Sequence, residues 1–85
     1  PALQAPPTRI GVRIHLERRA SSRVVTVVTG LPSGAELYGL VRTLKAACGA
    51  GGTLKEGALE LQGDHREKVE SALTERRIPW KRAGG

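Results

Sequence analysis

The spacing of apolar side chains switches repeatedly between two residues and three or four, and that alternation limits the fold more than any other feature. Val12, Ile14 and Leu16 alternate with Arg13, His15 and Glu17, the period of a strand with one buried face. Val24 to Val28 (VVTVV) is β-branched throughout and predicts a second strand, with Glu17 to Arg23 (ERRASSR) as the polar loop between them. From Leu37 the period lengthens. Leu37, Leu40, Val41, Leu44, Ala47 and Cys48 form an apolar helical stripe, which leaves Tyr38, Arg42 and Lys45 on the other side. Ser33 and Glu36 have the spacing of a capping box at the helix start, and Gly49 sits where a left-handed C-terminal cap is wanted. Two short strands follow, Gly52 to Lys55 and Ala58 to Gln62, joined by a turn at Glu56-Gly57. Gly63 reads as a turn. Asp64 and Glu67 repeat the cap spacing ahead of a second helix over about residues 65–77, with Val69, Ala72 and Leu73 as its narrow stripe. Ile78 to Arg82 predicts a last strand at a sheet edge, because Pro79 has no N–H for the ladder.

The order β-β-α-β-β-α-β, with one apolar stripe per helix, predicts an α+β sandwich of two layers: a mixed sheet of about five strands with both helices on one face. Residues 1–10 hold three prolines and no period, which reads as a flexible tail before a domain over residues 11–85. A chain of 85 residues buries only about 60–65% of its unfolded surface, and with no Phe or Met the core must be aliphatic. A deep ligand cavity is not expected in so small an interior.

The glycine cluster Gly49-Ala50-Gly51-Gly52 invites a phosphate-loop reading, which its context rejects. The spacing fits neither a Walker loop nor a complete dinucleotide fingerprint, since Leu54 occupies the last glycine position. These glycines also follow a helix and enter a strand, and a helix C-terminus repels phosphate. Catalysis has no better foothold. The two histidines fall on different elements, His15 on a strand and His65 in the first turn of a helix, Cys48 falls in the core stripe, and the serines lie in loops or a cap. No ligand spacing supports a metal, so the expectation is a non-enzyme without a cofactor. The lone cysteine fits a reducing, intracellular setting, and no apolar run of about 18 residues exists to span a membrane.

Charge points to a partner instead. Fourteen Lys and Arg against eight Asp and Glu give a formal charge of +6, and ten of the fourteen are arginine, whose flat fork suits phosphate oxygens. Arg18, Arg19 and Arg23 cluster in and beside the first hairpin loop, Arg42 and Lys45 lie on the exposed side of the first helix, and Lys55 lies further on. A flexible basic loop beside a basic helix face could grip folded RNA through phosphates. The predicted central strands carry no aromatics, so the base-stacking mode of sheet-face RNA readers is not indicated. Three readings stay open: an RNA module docking on a ribonucleoprotein, a general basic RNA binder, and a protein-interaction module using an open sheet face around Thr26 and Val28.

TVVTGL (Thr26 to Leu31), LKAACGAGGTLKEGALELQGDHREKV (Leu44 to Val69) and the closing KRAGG together resemble the SUI family of translation initiation factors, which comprises eukaryotic initiation factor one and smaller bacterial and archaeal relatives. The similarity covers nearly everything from Gly11 on, and the compact form resembles the bacterial branch. It implies a five-strand sheet with two helices on one side. It also implies a cytoplasmic monomer that binds small-subunit ribosomal RNA near the peptidyl site and takes part in start-codon and initiator-tRNA selection. By the same resemblance, the first hairpin loop and first helix meet ribosomal RNA, here through Arg18, Arg19, Arg23, Arg42 and Lys45. The second hairpin turn lies toward initiator tRNA, and in this chain it is the very short Lys55-Glu56-Gly57.

Overall fold

The computed structural model describes residues 12–32 and 34–83. The expected tail over residues 1–10 and the cap expected at Ser33 lie outside the described residues. The elements run β1 (Val12–Arg19), a 3-10 turn (Ala20–Ser22), β2 (Arg23–Thr29), α1 (Ala35–Cys48), β3 (Gly52–Lys55), β4 (Ala58–Gln62), α2 (Arg66–Glu75) and β5 (Trp80–Arg82). The five strands form one mixed sheet in the order β3-β4-β2-β1-β5, in which β5 runs parallel to β1 and the other pairings are antiparallel. The architecture is the two-layer α+β sandwich that the periods predict.

Register decides which side chains meet the helices. Ile14 faces Val28, Val28 faces Leu59, and Thr26 faces Leu61, so these side chains share one surface of the sheet. That surface packs with Leu40, Leu44 and Cys48 of α1 and with Val69, Ala72 and Leu73 of α2 into a single core. Each fully buried aliphatic side chain contributes about 1.5–3 kcal/mol. Thr26 is the buried polar member of this surface, with no exposure to solvent. Its hydroxyl donates to Gly63 O at 2.7 Å and accepts from His65 N–H at 2.8 Å. The threonine within VVTVV thereby ties the middle of the sheet to the turn that starts α2.

That placement corrects one expectation. Thr26 and Val28 do not line an open face; both lie beneath the helices with no exposure. The outer face carries Val25 and Val27 instead, and these too are buried. Val27 stands between His15 and Glu60 in register, and Val25 stands beside Glu17, so polar neighbours flank the apolar pair.

The glycine cluster serves the scaffold. Gly49 adopts φ 59° and ψ 32°, and its N–H closes α1 by donating to Lys45 O and Ala46 O. Gly52 lies so close to β4 that a Cβ there would come within 2.9 Å of Leu61 Cδ2 and 3.2 Å of the Glu60 carbonyl. The N-terminal caps differ from the capping boxes expected. Gly34 caps α1 with no side-chain bond, which shifts Glu36 one position earlier in the first turn than a box requires. For α2 the N-cap residue is His65, so Asp64 stands one position outside it and Glu67 makes no cap bond. Asp64 still serves the helix start, since its Oδ1 accepts from Arg66 N–H at 3.3 Å. The strand at the end is also shorter than expected, three residues from Trp80, although Pro79 keeps a pairing role as its carbonyl accepts from Val12 N–H at 3.0 Å.

Candidate nucleic-acid interface

The β1–β2 hairpin outruns its neighbours. β4 pairs with β2 over Thr26–Val28, and β5 pairs with β1 over Val12–Ile14. Beyond them Gly63 N–H still donates to Val24 O at 2.8 Å, and the Arg19↔Arg23 pair at the tip has no strand beside it. The loop expected over Glu17–Arg23 is in fact a turn of three residues, Ala20–Ser22. Ser21 and Ser22 hold φ of 64° and 61° there, left-handed positions that cost a non-glycine residue about 1 kcal/mol or more each. The arginines thus project from hydrogen-bonded strands, not from a slack loop. Less conformational entropy has to be given up when a ligand fixes them.

The tip arginines are not equivalent. Arg19 Nη2 donates to Glu17 Oε1 at 2.5 Å and to Glu60 Oε2 at 3.4 Å, an arrangement that neutralises it locally. His15 Nε2 donates to the other Glu17 oxygen at 2.9 Å. Hydrogen bonds from His15 and then Arg19 hold the Glu17 carboxyl below its ordinary range, and Glu17 in turn raises Arg19. Among the described residues, Arg23 donates only to the neutral Gln62 side chain, at 3.4 Å. Arg18 is exposed and has no ion pair among the described residues. Alternation along β1 puts Arg18 on the helix side of the sheet, while Arg19 and Arg23 stand on the outer side.

Strand directions also place the remaining cations. α1 starts after the end of β2 remote from the tip and finishes next to Gly52, which is level with Leu61 and Thr26. The helix therefore runs back toward the hairpin end. Its outward side bears Tyr38, Arg42 and Lys45, which with Val41 and Ala46 line a shallow groove of about 540 Å³. Neither Arg42 nor Lys45 is in an ion pair among the described residues. Lys55 pairs with Ala58 at the far end of the sheet, and the register separates it from the hairpin arginines.

Other cations are engaged within the fold. Arg66 grips Asp64 through Nε and Nη2, both at 3.0 Å, and holds that carboxyl below its usual range. Arg82 pairs with Glu70, and Arg76 donates to Thr43 Oγ1 at 2.9 Å across the two helices. The start of α2 has the polarity to attract an anion, but the Asp64 carboxylate already lies against it. One juxtaposition escaped the sequence: Arg13 and Lys81 stand directly opposite on adjacent strands of the outer face, both exposed. Like charges in that register repel, and only the parallel pairing of β5 with β1 brings them together.

No catalytic arrangement emerges at the residues considered for one. His15 is tied to Glu17, and His65 Nε2 donates to the Gln62 carbonyl at 2.6 Å. Cys48 is buried in the core, and that burial pushes its thiol up, the reverse of an activated nucleophile. No helix among the described residues is long and apolar enough to cross a membrane.

The family model described as "Translation initiation factor SUI1" matches residues 9–79. An uncharacterized protein of Synechocystis is 41% identical over 98% of this chain and 77% of its own length. A protein translation factor SUI1 homolog of Sulfurisphaera tokodaii is 42% identical over 80% of this chain and 69% of its own. Another homolog so described, from Aeropyrum pernix, is likewise 42% identical, over 80% of this chain and 68% of its own. The matched region takes in both hairpins, both helices and every basic position of the candidate interface, and on that ground the chain belongs to the SUI1 family of translation initiation factors.

Proposed function

We propose that this chain is a non-catalytic cytoplasmic factor that binds RNA of the small ribosomal subunit as a monomer and influences start-codon and initiator-tRNA selection. The observation that carries the reading is the hairpin tip, where Arg18 and Arg23 stand on braced strands without a carboxylate partner among the described residues. Arg42 and Lys45 on α1 add a second basic element on the helix side. Arg19 then acts chiefly as a brace for the tip, held to Glu17 and Glu60. Lys55, at the opposite end of the sheet, would make a separate contact, and the short turn beside it is the nearest equivalent of the family's tRNA-facing loop.

The test is binding of the purified chain to small subunits over a salt series. Removing one side chain that neutralises a phosphate should reduce the slope of log affinity against log salt by about 0.7–0.9. Arg42→Ala with Lys45→Ala should therefore lower the slope by about 1.5 while leaving the fold intact. An unchanged slope would remove α1 from the interface. Equal affinity for an unrelated duplex RNA would favour a general RNA binder acting away from the ribosome.

A further inference from the structure

We propose that the groove on α1 is a seat for one unpaired RNA nucleotide, with the Tyr38 ring stacking on the base and Arg42 and Lys45 holding the adjacent phosphates. The inference rests on the RNA-binding reading above and gives that contact a specific ligand chemistry.

Tyr38 is 71% exposed, the one large apolar side chain left open among the described residues. A single exposed ring means little by itself. Its surroundings give it meaning. Positions 38, 42 and 45 fall at i, i+4 and i+7, so all three lie on one stripe that spans about 10 Å along the helix. Val41 and Ala46 line the groove between them. After Glu36 no acidic residue occurs anywhere in α1, and neither cation of the stripe is in an ion pair among the described residues. An apolar protein surface would leave those two charges unanswered, whereas a nucleotide answers both with phosphate and offers a flat face to the ring.

The same geometry selects unpaired over paired RNA. Inside a duplex both faces of a base are covered by its neighbours, and only a bulged, looped or terminal base can stack on a protein ring. One ring accommodates one base. The ligand is accordingly a structured RNA with a single unstacked nucleotide, flanked by backbone that the two cations can reach.

The experiment compares two labelled RNA hairpins, identical except for one bulged nucleotide, in anisotropy titrations with the full chain. Small-subunit binding is measured in parallel. The chain should prefer the bulged hairpin by about tenfold, the scale of one base–aromatic stack. Tyr38→Phe should keep that preference. Tyr38→Leu should abolish it with the salt slope unchanged, because the substitution removes a ring and no charge. Because Tyr38 is exposed, neither variant should alter thermal unfolding, which is checked alongside. Equal binding of the two hairpins, or a preference that survives in Tyr38→Leu, overturns the seat; with small-subunit binding intact, the broader reading stands. Failure to bind either hairpin also overturns it. So does an acidic peptide that binds the chain and loses affinity in Tyr38→Leu while RNA binding does not. Absence of specific small-subunit binding by the wild-type chain would overturn the broader reading itself.

Discussion

The hairpin tip and the start of α2 are both rich in arginine, yet they use it in opposite ways. At α2, Arg66 is clasped by Asp64, and Arg82 of β5 is clasped by Glu70. At the tip, Arg19 is likewise held by Glu17 and Glu60, but among the described residues Arg18 has no ion-pair partner and Arg23 donates only to a neutral amide. The residue type is the same, and what differs is the distance to a carboxylate. A guanidinium already neutralised within the fold has little field to offer a polyanion, whereas one standing clear on a braced strand keeps its full charge for a ligand. Formal net charge therefore overstates the binding surface, and ion-pair geometry refines it.

The largest effect expected from this contrast lies in stability at the α2 end. Thr26→Val keeps the shape of the side chain but leaves the Gly63 carbonyl and the His65 N–H without their partner. Urea unfolding should register a loss of about 1–3 kcal/mol. A loss below about 0.3 kcal/mol would mean that the Thr26 hydroxyl does not anchor the turn. Next comes Asp64→Ala, which removes the acceptor for Arg66 N–H at the helix start and should cost about 0.5–1 kcal/mol in the same assay. By contrast, the double substitution Arg18→Ala, Arg23→Ala should leave stability within about 0.5 kcal/mol, since exposed side chains outside ion pairs hold little of the fold together. A larger loss would show that the tip arginines are structural after all and would erase the contrast.

The smallest effect is one of pH. Glu17 and Asp64 have carboxyls lowered by hydrogen bonds, from His15 and Arg19 in one case and from Arg66 in the other. A carboxylate with a folded pKa below its unfolded one stabilises the fold above the ordinary carboxylate range, and that contribution fades as pH falls below about 4. Glu17→Gln should therefore lower the neutral plateau slightly, towards the acid value, and so flatten the acid limb of the stability profile. An acid limb as steep as that of the wild type would contradict the assignment.

Much of the fold could be read from spacing alone. Alternation marked β1, the three- and four-residue stripes marked both helices, and Gly49 marked the end of α1, since each signal is local. What stayed hidden depends on pairs distant in sequence. VVTVV is β-branched at every position, so its period of two vanishes and the face toward the helices cannot be told; register with Ile14 and Leu61 decides it. The Arg19–Glu60 contact joins residues 41 apart, and no local pattern announces it. Arg13 and Lys81 meet only because β5 adds in parallel to β1. The candidate cations could thus be named from sequence, but not sorted into those that stand free and those engaged within the fold. The helix starts differ in another way: Gly34 and His65 stand at the N-cap positions, one residue later than the S-x-x-E and D-x-x-E spacings suggest. At α2 the Thr26 hydroxyl accepts from His65 N–H while Asp64 accepts from Arg66 N–H.

The most direct test is the salt dependence of small-subunit binding for the wild-type chain, for Arg18→Ala with Arg23→Ala, and for Arg66→Ala with Arg82→Ala. Both variants remove two positive charges, so net charge alone predicts equal losses. If free guanidinium groups do the gripping, the tip variant lowers the slope by about 1.5–2 and the α2-side variant leaves it within about 0.5 of wild type. Equal reductions, or a larger one in the α2-side variant, would contradict that division of labour.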